Sequence, residues 1–249
     1  MPNRYSLSSD RRRSPIGSVL KIIVELFVII IGIYLAFQLE NNREAKKLAA
    51  LERTYLEQLM EEVAINEGEL FADQESRKKQ VIYLKKLLET PIRQVDPDTL
   101  REAVDLLFMI RLYSPTDAVY QDLVSSGNLG LIKSDAIKRV LMNYRRSLSR
   151  VPSTENRDVK LVSEQLEPYL LDKQLLSFLE PHDDLDEIDI SNDQKDRMIR
   201  QLLRDRKFID LVYLRVNTVK DVIFFENPMQ WQLEAMRKLL VTELGLSEE

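Results

Sequence analysis

From Ile22 to Leu39 the chain reads IIVELFVIIIGIYLAFQL, an apolar run interrupted by a single charge at Glu25. As a helix rising ~1.5 Å per residue this run is ~27 Å long, close to the ~30 Å hydrocarbon thickness of a bilayer, and Gly17 to Leu20 can add a turn. Beyond it the pattern becomes amphipathic. Leu48, Leu51, Tyr55, Leu59, Val63 and Leu70 trace one stripe, and strict heptads fail at Gln58 and Glu62, which predicts a bundle helix continuous with the span. A break is expected near Gly68 to Asp73, followed by a second helix carrying Val81, Leu84 and Leu88 up to Pro91.

Helix starts punctuate the middle of the chain. Asp96-Pro97-Asp98 and Ser114-Pro115-Thr116-Asp117 each offer a cap, a proline for the first helical position and acid for the first turn. Those helices hold Val104, Leu107 and Leu123, and Ser125-Ser126-Gly127-Asn128-Leu129-Gly130 reads as a helix stop. Ser134 then caps a helix bearing Ile137, Leu141, Tyr144 and Leu148, and a helix over Val159 to Leu170 is expected to be interrupted or kinked at Pro168. Ser191 to Gln194 has capping-box spacing. The last stripes, Phe208, Val212, Val216, Val219 and Ile223, then Met229, Leu233, Met236, Leu240 and Leu244, lie either side of Pro228. They are expected to pack back against the helix that follows the span, with the methionines and Trp231 in the core.

Composition agrees with helices. Only six glycines and nine prolines occur in 249 residues, and 31% of residues are charged. The fold class is therefore all-α: a disordered basic tail over 1–16, a transmembrane helix over 17–39 and a helical bundle domain over 40–249. Formal net charge is −5, and beyond residue 39 there are 31 basic and 39 acidic residues, which argues against nucleic-acid binding. The absence of cysteine excludes disulfides, thiol nucleophiles and zinc–thiolate sites.

Within the span, Glu25, Gly32 and Ala36 fall within about 40° of one another at 100° per residue, with Tyr34 opposite. Gly32-x-x-x-Ala36 lets helix backbones approach closely, and a carboxyl on the same face can hydrogen-bond across the contact. Glu25 also lies four residues after Lys21, so an interfacial pair is a second role for it. Arg11 to Arg13 resemble a signal-peptide n-region, but no small-residue cleavage pattern follows the apolar run, so it is read as a lasting span. Four basic residues precede it (Arg4, Arg11, Arg12, Arg13) and four follow (Arg43, Lys46, Lys47, Arg53); the compact triple arginine favours a cytoplasmic N-terminus with the domain outside.

The sequence carries no G-x-S-x-G nucleophile motif. The only histidine, His182, lies in an acidic stretch from Glu180 to Asp193 that fails as a calcium loop at Ile188, Asp189 and Lys195. Gly127 and Gly130 lack the third glycine and the lysine of a phosphate loop. No catalytic, cofactor-binding or metal residues are assigned, no cofactor is expected, and the chain is read as not an enzyme.

Three blocks carry a family resemblance: Gly32-Ile33-Tyr34-Leu35-Ala36-Phe37-Gln38 followed by Asn41 and Asn42; the stretch from Tyr120 to Ile132 with the pattern Y-x-x-L-x-x-S-G-x-L-x-L-I; and the helix from Leu202 to Phe225. Together they resemble a family of bacterial single-span membrane proteins defined as a domain of unknown function. The resemblance implies a mostly helical protein of the bacterial inner membrane and supplies no site residues. Two functions follow as expectations. One is a membrane-anchored assembly protein that meets the lipid bilayer and either its own copies or a partner membrane protein through Glu25, Gly32 and Ala36. The alternative is a subunit of an ion- or proton-conducting assembly in which Glu25 titrates.

Overall fold

The computed structural model describes residues 15–175 and 191–246, so residues 1–14 of the tail expected over 1–16 and most of the acidic stretch, His182 included, lie outside the described residues, while residues 15 and 16 already belong to a helix. Every regular element among the described residues is helical. The first helix, α1, runs from Pro15 to Glu89. The chain divides into two compact units, Met1–Glu52 and Arg53–Glu249.

In the first unit the apolar part of α1 is exposed among the described residues. Its most apolar 18-residue window has a mean hydropathy of 2.1 and none of that window is buried. The helix is long and apolar enough to cross a membrane.

The second unit is built on the remainder of α1 together with α2 (Pro97–Phe108), α3 (Ala118–Ser125), α4 (Asp135–Leu148), α5 (Val151–Leu161), α6 (Glu167–Asp172), α7 (Asn192–Leu202) and α8 (Arg206–Leu244). Burial of the α1 stripe starts at Tyr55, whereas Leu48 and Leu51 stay exposed. Two apolar clusters form. One joins Leu84 and Leu87 to Leu100, Val104, Leu107, Leu170, Leu202, Phe208 and Val212. The other joins Tyr55, Leu59, Val63 and Leu70 to Leu123, Ile137, Leu141, Met229, Leu233, Met236 and Leu240. The early part of α8 thus meets the end of α1 and the late part meets its middle, the antiparallel return that the two stripes predict.

Several caps are where the sequence places them. Asp96 accepts from the Thr99 amide at 2.8 Å, Ser134 from the Ile137 amide at 3.4 Å, and Ser191 with Gln194 forms the capping box. Gly127, at φ 74°, takes the left-handed turn that ends α3.

Other boundaries differ. No break occurs at Gly68 to Asp73, and α1 stays helical to Glu89. Glycine costs a helix about 1 kcal/mol, and burial of Asn66, Leu70 and Gln74 around Gly68 outweighs it. Pro115 opens no helix: Asn66 engages the Thr116 backbone, the Asp117 carboxylate is taken by Arg145 and Gln121, and α3 starts only at Ala118. The interruption expected at Pro168 is a π-turn over Val162–Leu166, closed by the Glu167 amide on the Val162 carbonyl, and Pro168 sits in the first turn of α6 where its missing N–H costs little. Pro228 lies inside α8 without ending it. The carbonyl it leaves without an amide belongs to Phe224, an exposed residue that water reaches. Trp231 is 66% exposed and not in the core, because two residues on from Met229 it lies ~200° round the helix.

Candidate functional site

The residues singled out in the span are all exposed in the single chain. Lys21 Nζ lies 3.9 Å from Glu25 Oε1, both side chains facing solvent. A Cβ built on Gly32 meets nothing within 4 Å. Gln38 donates to the Tyr34 hydroxyl at 3.0 Å, one turn apart on the same helix.

The densest polar chemistry lies instead between the two apolar clusters of the second unit. On α1, Gln74, Arg77 and Gln80 separate Leu70 from Leu84; on α5, Thr154, Glu155 and Asp158 separate Val151 from Leu161; on α8, Thr218 and Glu226 separate Val216 from Met229. All of these are buried. A charge in such a place is costly unless it is paired and hydrogen-bonded. Here the pairs are built around two arginines. Arg77 donates through Nε to Glu226 Oε1 at 3.1 Å, through Nη2 to Glu155 Oε1 at 2.9 Å and through Nη1 to the Arg111 carbonyl at 2.9 Å. Arg215 pairs with Asp158, which also accepts from the Thr218 hydroxyl at 2.6 Å, and donates to the carbonyls of Leu107 and Met109.

The backbone partners share a location. Residues 109–117 form an irregular strap between α2 and α3, and irregular backbone against a core must find hydrogen bonds outside itself. Gln80 donates to the Leu106 and Met109 carbonyls, Glu155 accepts from the Tyr113 amide at 2.8 Å, Asn66 engages both the amide and the carbonyl of Thr116, and Glu62 accepts from the Val119 amide at 2.8 Å. Tyr113 and Tyr144 share a hydroxyl contact at 3.0 Å, and burial pushes the Tyr144 phenol up to about 12. The buried polar layer therefore fastens the strap.

One carboxylate in this layer is incompletely matched. Glu226 is fully buried; one oxygen binds Arg77, and among the described residues neither its other oxygen, Oε2, nor Nε2 of Gln74, one turn before Arg77, has a hydrogen-bond partner. Burial pushes the Glu226 carboxyl up to about 7; Arg77 opposes that rise, and Glu155 and Asp73 add to it. Burial raises Glu155 as well, against the Tyr113 amide and Arg77.

The Ser-Gly block is held in the same manner. Tyr55 donates to Asp122 Oδ2 at 2.7 Å and accepts from Asn128 Nδ2 at 2.9 Å, fixing both sides of the Gly127 turn to α1. Elsewhere a recess of about 280 Å³ between α1 and α8 is lined by Glu67, Phe71, Gln230, Glu234 and Lys238 and crossed by the Arg237–Glu67 pair at 3.2 Å. Among the described residues no group of three or more His, Asp or Glu side chains is arranged to hold a metal ion.

The buried layer escaped the sequence reading, although its signal is present. The stripe of α1 continues through Asn66, Gln74 and Arg77 in the register of Leu59, Val63, Leu70 and Leu84, and that of α8 passes through Arg215 and Glu226. Charges in register with an apolar stripe are the mark of a buried network. Compared with known protein families, curated proteins and solved structures, the chain matches none.

Proposed function

We propose that this protein is a non-enzymatic, membrane-tethered helical protein that works by association. Its span inserts in the bacterial inner membrane with Arg11 to Arg13 on the cytoplasmic side and the helical domain outside. The face bearing Glu25, Gly32 and Ala36 meets a second copy or a helix of a partner membrane protein. The observation that carries this reading is the exposure of the large apolar side chains from Ile23 to Leu39, each between 46% and 72%. In water such exposure costs on the order of 10–20 kcal/mol, more than a domain's typical net stability, and a bilayer removes that cost. Glu25 fits the reading as an interfacial residue paired with Lys21.

The test is crosslinking in native membranes from a photoreactive residue at position 32, where an added Cβ meets nothing within 4 Å among the described residues. Capture of the same chain or of a defined membrane protein supports association, and Glu25→Gln leaves that capture in place. Labelling of lipid alone removes the association and leaves only an anchor. Loss of capture in Glu25→Gln makes the Glu25 carboxyl itself the group that joins the helices, in place of its pairing with Lys21.

A further inference from the structure

The layer around Arg77 contains one guanidinium and two carboxylates. Arg77 faces Glu226 of α8 and Glu155 of α5, each through one oxygen, and its remaining bond goes to the Arg111 carbonyl of the strap. The other groups facing Glu226 are Asp73 of α1, whose own partner is Arg111 at 3.0 Å, and Tyr113 of the strap. Arg215 is committed to Asp158. With both carboxylates ionised, the Arg77 group carries one surplus negative charge in the interior; with one proton it is neutral. Of the two carboxylates on Arg77, the fully buried Glu226 is the one with an oxygen that no group among the described residues satisfies.

We propose that Glu226 is a proton-operated latch on the strap formed by residues 109–117. Protonated, it leaves Arg77 balanced against Glu155 and free to grip the Arg111 carbonyl, while Glu155 grips the Tyr113 amide. Ionised, it burdens the layer with an unmatched charge, and the strap that carries the exposed apolar side chains of Ile110 and Leu112 loosens. The position of the Glu226 carboxyl, pushed up to about 7 by burial, puts that change close to neutral pH. The latch sets how firmly the strap holds Ile110 and Leu112 at the surface.

The direction follows from linkage. A carboxyl whose value is raised in the closed state and ordinary in the open state binds more protons when closed, so opening grows as pH rises from about 4.5 to about 7 and levels off above. The test is amide hydrogen exchange on the full chain in detergent micelles between pH 5 and 8.5, corrected for the intrinsic pH dependence of exchange, read over residues 109–117. In the native chain opening should increase toward tenfold per pH unit within that window. In Glu226→Gln, a mimic of the protonated form, the strap should stay closed and lose the pH dependence, and Glu155→Gln, which leaves Arg77 to Glu226 alone, should weaken it. The same slope in Glu226→Gln, or no slope in the native chain, overturns the latch. The infrared spectrum of the native chain supplies a reading that needs no variant: a buried carboxylic acid band that disappears as pH rises through about 7 supports the proposal, and its absence at pH 5.5 overturns it.

Discussion

Between Ile23 and Leu39 the protein exposes its most apolar residues, and between Arg53 and Leu246 it buries some of its most polar ones. Both reverse the usual sorting of side chains, for opposite reasons. In the first stretch the backbone is a regular helix that satisfies itself, and the side chains lack a suitable solvent. In the second the side chains have a good core, and an irregular stretch of backbone lacks partners. In the proposed reading lipid would answer the first need; buried Arg77, Arg215, Gln80, Asn66 and Glu155 answer the second. Hydrophobicity alone therefore tells little about where a residue sits in this chain; what decides is which group, side chain or backbone, still needs a partner.

The comparison breaks most sharply at Arg77. Replacement by Met leaves Glu226 and Glu155 buried without their guanidinium and frees the Arg111 carbonyl, at a cost of about 3–5 kcal/mol. Thermal unfolding of the full chain in detergent should fall by roughly 10 °C. Next in size is Leu59→Ala, which empties a site only 1% exposed and should cost about 2–4 kcal/mol. Ile30→Ala deletes comparable apolar bulk from the apolar stretch, at a residue that is 53% exposed, and should leave unfolding of the second unit unchanged.

Acid should stabilise the second unit. A carboxyl raised in the folded state binds more protons folded than unfolded, so stability falls as pH rises from about 4.5 to about 7; Glu226 alone contributes on the order of 3 kcal/mol. The buried Glu155 and Glu62, raised in the same direction, add to that slope. Unfolding midpoints measured across this window check the sign, and a midpoint that rises with pH contradicts it. Tyr55→Phe removes the hydrogen bonds to Asp122 and from Asn128 and should cost about 1 kcal/mol. Within the second unit the smallest effect is Trp231→Ala on the exposed side of α8, within about 0.5 kcal/mol, with loss of the chain's only tryptophan fluorescence.

The helical fold class, the antiparallel return of α8 and the caps at Asp96, Ser134 and Ser191 were legible because each rests on local spacing. The strap was not. Pro115 and Asp117 look like a helix start, and only the distant Asn66, Glu62 and Arg145 divert their backbone and carboxyl to other bonds. Gly68 misled for the same reason: its local cost is plain in the sequence, while the burial that offsets it depends on α8. The polar layer was half legible, since Arg77, Arg215 and Glu226 stand in register with apolar stripes, but which charges meet requires three helices in place.

The most direct test of the account is alkaline carbonate extraction of membranes from cells making the full chain. The apolar stretch, exposed on all sides, predicts that the protein stays with the membrane pellet after carbonate and leaves it only in detergent. Release of the folded protein into the carbonate supernatant would contradict the span, and with it the division of the molecule into a part that needs lipid and a part that supplies its own partners.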